Sequence, residues 1–291
     1  MLDSNVYDTL SRLSLKMAHK SSLNMSGNRK SIQKGISAEF SDFREYMPGD
    51  DLRRLDWNVY ARLDKMYIRE YMEEKEAVVS VLLDTSASMD YGKKKKSDLA
   101  TDLASVVSFL ALNNMDRLVV YDMKDMSRGL MPGSGRNAFS RVLKWLELRT
   151  FGGEADMLKA ARQMRHRGPG VTVIISDFLH PALFADDSPQ YEKLLQYLAY
   201  CRQRPVILHT LAEEELKVNM EGTLNLIDME TNGKLRITMD AAAVNSYERE
   251  LKKLLSRMKK GCTPHGSYVL CDTAKDRNQL IFEDLRVLYD I

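Results

Sequence analysis

From residue 77 onward, short β-branched apolar runs alternate with segments whose apolar residues recur every three or four positions. Ala77-Val78-Val79-Ser80-Val81-Leu82-Leu83 is an apolar run of strand length that ends at Asp84, the pattern of a strand buried on both faces. Leu99, Leu103, Val106, Val107 and Leu110 then share one helical face, and Ser97 with Asp98 suits the start of that helix. Arg117-Leu118-Val119-Val120-Tyr121 predicts a second strand, Gly129 to Gly135 a loop, and Phe139, Val142, Leu143 and Leu146 a second helix. Phe151-Gly152-Gly153 breaks the pattern before a helix over Met157 to Met164. Val171 to Ser176 predicts a strand ending at Asp177, followed by a helix at about 190–202 and a strand over Pro205 to Leu211.

The remainder changes character. Leu224 to Asp228 and Lys234 to Ile237 flank Thr231-Asn232-Gly233, an Asn-Gly hairpin signal. A helix at about 241–259 carries Val244, Tyr247, Leu251, Leu254 and Leu255; Tyr268-Val269-Leu270 predicts a strand, and Leu280 to Leu288 a closing helix. Before residue 76 the chain is polar and arginine-rich. A short amphipathic helix carries Val6, Leu10, Leu13 and Leu15, and Ser21 to Lys30 is loop by composition. Phe40 to Arg62 then mixes arginines, aspartates and aromatics around the turn Pro48-Gly49-Asp50. Strands alternating with helices predict an α/β fold, a doubly wound, mostly parallel and Rossmann-like sheet with helices on both faces. The expected organisation is an N-terminal extension, 1–75, packed on a main domain, 76–215, with 216–291 completing the same fold. Asp50, Asp51, Arg53 and Asp56 are expected in structural ion pairs.

Composition narrows the function classes. The chain has 291 residues, 44% hydrophobic and 29% charged, an ordinary globular balance. A net charge of +2 supplies no global field for nucleic acid or an anionic membrane. Cys201, Cys262 and Cys271 are odd in number and widely spaced, which suits free thiols in a reducing compartment. No apolar stretch approaches the roughly 20 residues that span a bilayer, and the N-terminus lacks signal-peptide character. These features predict a cytoplasmic protein without membrane insertion. The run Lys93 to Lys96 reads as a solvated loop.

Chemistry concentrates where strands end. Asp84, Ser86 and Ser88 follow the first strand of the alternating region, and Asp177 ends another in the same way. Open α/β sheets bind ligands at that edge. Carboxylate and hydroxyl oxygens are hard ligands of the kind magnesium prefers. D-x-S-x-S alone recurs by chance in roughly one chain in ten of this length, so position decides its weight. Gly152-Gly153-Glu154 lies at the mouth of a helix, where glycines allow close backbone approach. Asp84, Ser86, Ser88, Glu154 and Asp177 are therefore the candidate metal ligands.

The segment Asp84 to Met89, with Asp177 in a later loop, resembles the metal-ion-dependent adhesion site of von Willebrand factor A domains. Tyr46 to Arg62 and Tyr67 to Glu74 resemble the signature of the bacterial domain-of-unknown-function family fifty-eight. Members of that family carry such an A-type domain and commonly accompany MoxR-type AAA+ ATPases. The resemblance implies that Ser86 and Ser88 ligate the metal directly, and that Asp84 and Asp177 hold it directly or through water. It implies Mg2+, with Mn2+ or Ca2+ as alternatives. In one departure, Glu154 stands where the family pattern has a threonine, and Thr150 lies four residues upstream.

The resemblance implies a non-enzymatic interaction module. A cation in the site takes an Asp or Glu from a protein partner, within an assembly that includes a MoxR-type ATPase and its client. The alternative is a magnesium-dependent phosphoryl-transfer enzyme with Asp84 as nucleophile. Against it, Ser86 and Ser88 replace the D-x-D-x-T pattern, and the second carboxylate is missing. There is no G-x-x-x-x-G-K-[ST] for nucleotides and no H-x-x-x-H pair among His19, His166, His180, His209 and His265. His209, within an apolar strand, reads as a hydrogen-bonded core residue.

Overall fold

The protein is described here from a computed structural model. The described residues are 2–13, 38–73, 77–135, 137–165, 168–180, 183–184, 189–218, 222–227 and 233–289. The loop Ser21 to Lys30 and the turn residues Thr231 and Asn232 lie outside them. Two compact units divide the chain: residues 1–25 with 77–291, and residues 26–76.

The larger unit is built on a six-stranded sheet. Its strands are β3 (Val78–Leu83), β4 (Arg117–Asp122), β5 (Asp125–Leu130), β6 (Gly170–Ser176), β7 (Gln203–Leu211) and β10 (Ser267–Asp272), in the order β10-β7-β6-β3-β4-β5. All neighbours are parallel except β4 and β5. Counted within this unit the order is 3-2-1-4-5-6, that of a doubly wound sheet, with its switch point between β3 and β6. The α/β expectation is met.

Side-chain alternation explains the two-sided core. Val79, Val81 and Leu83 of β3, with Val173 and Ile175 of β6, face α3 (Lys96–Asn113) and α4 (Ala138–Glu147). Leu82 and Ile174 point to the opposite layer, made by α5 (Met157–Gln163), α6 (Gln190–Tyr200) and α7 (Ala241–Cys262). Each fully buried Val, Leu or Ile contributes about 1.5–3 kcal/mol of transfer free energy. Burial on both faces therefore holds the central strands most firmly. Helix α1 (Ser4–Leu10) belongs to this unit: Tyr7 packs against Phe109 and Phe139, and its hydroxyl meets Ser105 Oγ at 2.9 Å. An antiparallel pair, β8 (Gly222–Ile227) with β9 (Lys234–Met239), forms the expected C-terminal hairpin.

The smaller unit pairs β1 (Ala38–Glu45) with β2 (Tyr67–Glu73), antiparallel, around α2 (Trp57–Leu63). Asp50 holds Arg44 through both carboxylate oxygens at 2.9 Å, so the expected ion pairing is present there. Asp51 and Asp56 serve as helix caps: Asp51 accepts from the Arg53 amide and Asp56 from the amides of Asn58 and Val59. These strands were not expected, nor was β5, whose end falls in the loop predicted from Gly129.

Candidate functional site

Register brings the two strand-ending aspartates together. Leu83 pairs with Ile175 across β3 and β6, so the residues that follow each leave the sheet side by side at its switch point. The Asp84 amide donates to the Ile175 carbonyl at 2.9 Å, and Ser176 Oγ donates to Asp84 Oδ2 at 2.6 Å. Asp84 Oδ1 accepts from the Ser86 amide at 2.9 Å. Asp84 is 6% exposed and Asp177 3%. Burial, then the neighbouring charge of Asp177, raises the pKa of Asp84 above the ordinary carboxylate value.

Two hydroxyls complete the inner group. Ser86 Oγ and Ser88 Oγ lie 3.1 Å apart. Oxygens in adjacent positions around an octahedral magnesium ion, each at about 2.1 Å, are about 3.0 Å apart, so the pair fits such an edge. Asp84, Ser86, Ser88, Glu154 and Asp177 all line one cavity of about 830 Å3. Glu154 is exposed and sits at the cavity wall rather than among the buried groups. Thr150 is exposed and is not among the lining residues. Among the described residues, no group of three or more His, Cys, Asp or Glu is spaced as a metal cluster. The serine hydroxyls are the further oxygen donors beside the two aspartates.

A scaffold fixes the loops around this group. Thr85 Oγ1 donates to Asp122 Oδ1 at 2.5 Å, and Asp122 Oδ2 meets Arg149 Nη1 at 3.4 Å. Arg149 stacks over the Trp145 ring, 4.3 Å from its centroid. Lys124 Nζ donates to the carbonyls of Thr150 and Gly152, while the Gly152 amide donates to Thr85 O and the Ala87 amide to Gly153 O, both at 2.9 Å. Gly153 adopts φ +73°, a left-handed conformation that glycine takes without steric cost. The paired glycines thus let the second loop lie along the first.

Two contributors, Lys96 and Glu215, escaped sequence reasoning, and a third was read only as part of the core. Lys96 is buried, and its Nζ donates to Asp177 Oδ2 at 2.7 Å and Glu215 Oε1 at 2.6 Å. This corrects the solvated-loop reading of the lysine run: Lys93, Lys94 and Lys95 are exposed, whereas Lys96 opens α3. Its spacing carried the signal, because Lys96, Leu99, Ala100 and Leu103 continue one buried helical stripe. Burial opposes the charge on Lys96, but Asp177 and Glu215 outweigh it and raise its pKa. Glu215 had no sequence signal, lying 119 residues beyond Lys96.

His209 is the third. It is fully buried, with Nε2 at 2.7 Å from the Asp177 carbonyl and Nδ1 at 2.8 Å from the Tyr268 hydroxyl. A carbonyl only accepts, so Nε2 carries the proton and Nδ1 accepts from Tyr268. Burial lowers the His209 pKa to about 4. The core role read from its strand is what it has, and that role anchors the Asp177 backbone.

Residues 42–255 match the family described as "Protein of unknown function DUF58". The chain belongs to the DUF58 family. Among curated relatives of this DUF58 chain are the uncharacterized proteins Rv1480 of Mycobacterium tuberculosis H37Rv and Mb1516 of Mycobacterium bovis. Each is 26% identical over 255 residues, spanning 85% of this chain and 78% of the relative. Solved structures overlap it in part. The conserved hypothetical protein BatB from Bacteroides thetaiotaomicron does so with a TM-score of 0.42 at 12% identity, covering 72% of this chain and 97% of that one. An aerotolerance-related membrane protein from Bacteroides fragilis does so with a TM-score of 0.38 at 14% identity, covering 72% and 98%. Among the described residues, no helix is long and apolar enough to cross a membrane.

Proposed function

We propose that this DUF58 chain is a non-enzymatic, von Willebrand factor A-like docking module whose switch-point cluster holds a divalent cation. The observation that carries this reading is the buried charge balance. Asp177 and Glu215 share a single ammonium, Lys96, and the buried Asp84 lies beside Asp177 with no cation of its own among the described contacts, so when ionised the three carboxylates outnumber the one positive charge by two. Buried carboxylates without compensating charge are costly. The two convergent hydroxyls face the same cavity as Asp84 and Asp177. Asp84, Ser86, Ser88 and Asp177 would hold the ion, and Mg2+ suits their oxygen donors. When bound, the cation supplies an open coordination position for a partner's Asp or Glu. Glu154 stays at the cavity wall, contributing charge at the mouth.

The chain's own residues also set what happens without the ion. Asp125, Glu154 and Asp156 line the cavity with the buried Asp84 and Asp177, against Lys124 and Lys159, so carboxylates outnumber ammonium groups and a partner carboxylate meets net repulsion there. Docking is then lost, rather than weakened, on chelation. A MoxR-type AAA+ ATPase, the usual companion of this family, is the partner we infer. The docking reading is favoured over phosphoryl transfer because Ser86 and Ser88 stand where the D-x-D-x-T pattern needs an aspartate and a threonine. Hydrolysis of a generic phosphate ester should accordingly stay at background. The direct test is binding of the cognate ATPase to the immobilised chain with Mg2+ and with EDTA. Retention only with Mg2+, lost in the double variant Ser86→Ala/Ser88→Ala, supports docking through this site. Equal retention under both conditions would contradict it.

A further inference from the structure

Lys96 is 1% exposed in its side chain, and so is a cation sealed beside the proposed cation site. It opens α3, the end of a helix where the dipole disfavours positive charge. Two carboxylates offset that placement, Asp177 Oδ2 at 2.7 Å and Glu215 Oε1 at 2.6 Å, and the Tyr91 ring lies 5.7 Å from the ammonium. Asp177 thus faces two ways. Its Oδ2 is held by the ammonium, its Oδ1 accepts from the Leu179 amide at 3.2 Å, and the residue also lines the cavity shared with Asp84, Ser86 and Ser88. Glu215 is itself fixed, since its other oxygen accepts from the Ala212 amide at 2.8 Å and its carbonyl accepts from the Tyr247 hydroxyl at 2.9 Å. Glu215 is therefore built to hold the lysine.

Resting on the cation-site reading above, we propose that Lys96 sets the affinity of that site, its ammonium competing with the divalent cation for Asp177 while Glu215 limits the competition. A fixed positive charge in a poorly solvated site weakens binding of a second cation beside it. Removing the ammonium frees Asp177 for the ion. Removing the Glu215 charge leaves the ammonium to Asp177 alone. The two substitutions therefore act in opposite directions, a signature that a purely structural lysine lacks. If the triad only braced the loop after β6, breaking either contact would loosen Asp177 and weaken binding in both variants.

The test is a Mn2+ titration of the full chain, with free Mn2+ followed by electron paramagnetic resonance. Lys96→Gln should bind Mn2+ at least about tenfold more tightly than the wild type, and Glu215→Gln at least about tenfold more weakly. Because Lys96→Gln leaves the partly buried Glu215 without its lysine, the double variant Lys96→Gln/Glu215→Gln is a second arm. It replaces the charged pair by two amides and should also bind more tightly than the wild type. Weaker binding in all three variants, or affinities within threefold of wild type, would overturn the role of Lys96 while leaving the cation site standing. No Mn2+ binding by the wild type or any variant would overturn both.

Discussion

His209 couples one protonation state to the placement of one ligand. Its Nε2–H must be donated to the Asp177 carbonyl, and its pKa is lowered to about 4 from 6.5. Between those values the unfolded chain binds the proton and the folded one does not. The contribution is thus fully present above pH 6.5 and is lost as pH falls toward 4. Linkage puts it at roughly 3 kcal/mol. Asp84, whose pKa is raised, acts with the opposite sign and loses stability as pH rises. Thermal unfolding across this range should show a steep acid fall in the wild type and a shallower one in His209→Gln, whose amide can still donate. Parallel profiles for the two would remove His209 from the explanation. At this scale the sequence was legible where a residue follows a strand, as Asp84 and Asp177 do. It was opaque for Lys96, hidden at the end of a lysine run, and for Glu215, whose partner is remote in the chain.

At the scale of elements, the central parallel strands were readable because burial on both faces leaves an unbroken apolar run. Strand β5 was not, because Asp125-Met126-Ser127-Arg128-Gly129-Leu130 is an edge strand without β-branched residues. Its Gly129 sits where an added Cβ would meet the Tyr121 ring at 2.7 Å. Close approach is tighter still at Gly170, where an added Cβ would lie 2.2 Å from the Val78 carbonyl oxygen, within the β3–β6 pairing that aligns Asp84 with Ser176. Gly170→Ala must push those strands apart, at a cost of about 1–3 kcal/mol or more, and should also weaken cation binding. Leu103→Ala, in the fully buried face of α3, should cost about 2–5 kcal/mol yet leave the affinity of the folded protein unchanged. Denaturant unfolding paired with Mn2+ titration separates the two effects. If Gly170→Ala loses stability but not affinity, the strand register does not position the site.

Over the whole molecule, net charge is only +2, and function follows from where charge is buried rather than from how much there is. One doubly wound sheet places its switch point beneath a cavity of about 830 Å3, lined by five carboxylate residues and two lysines. A ligand that binds only the folded state raises stability by about 2.7 kcal/mol at a hundredfold excess over its Kd. In a unit of this size, that corresponds to a melting temperature several degrees higher. The decisive measurement is therefore thermal unfolding of the wild type and of Ser86→Ala/Ser88→Ala, each in Mg2+ and in EDTA. A rise with Mg2+ in the wild type alone is the expected result. No rise in the wild type, or the same rise in the variant, would contradict a cation held by these two serines.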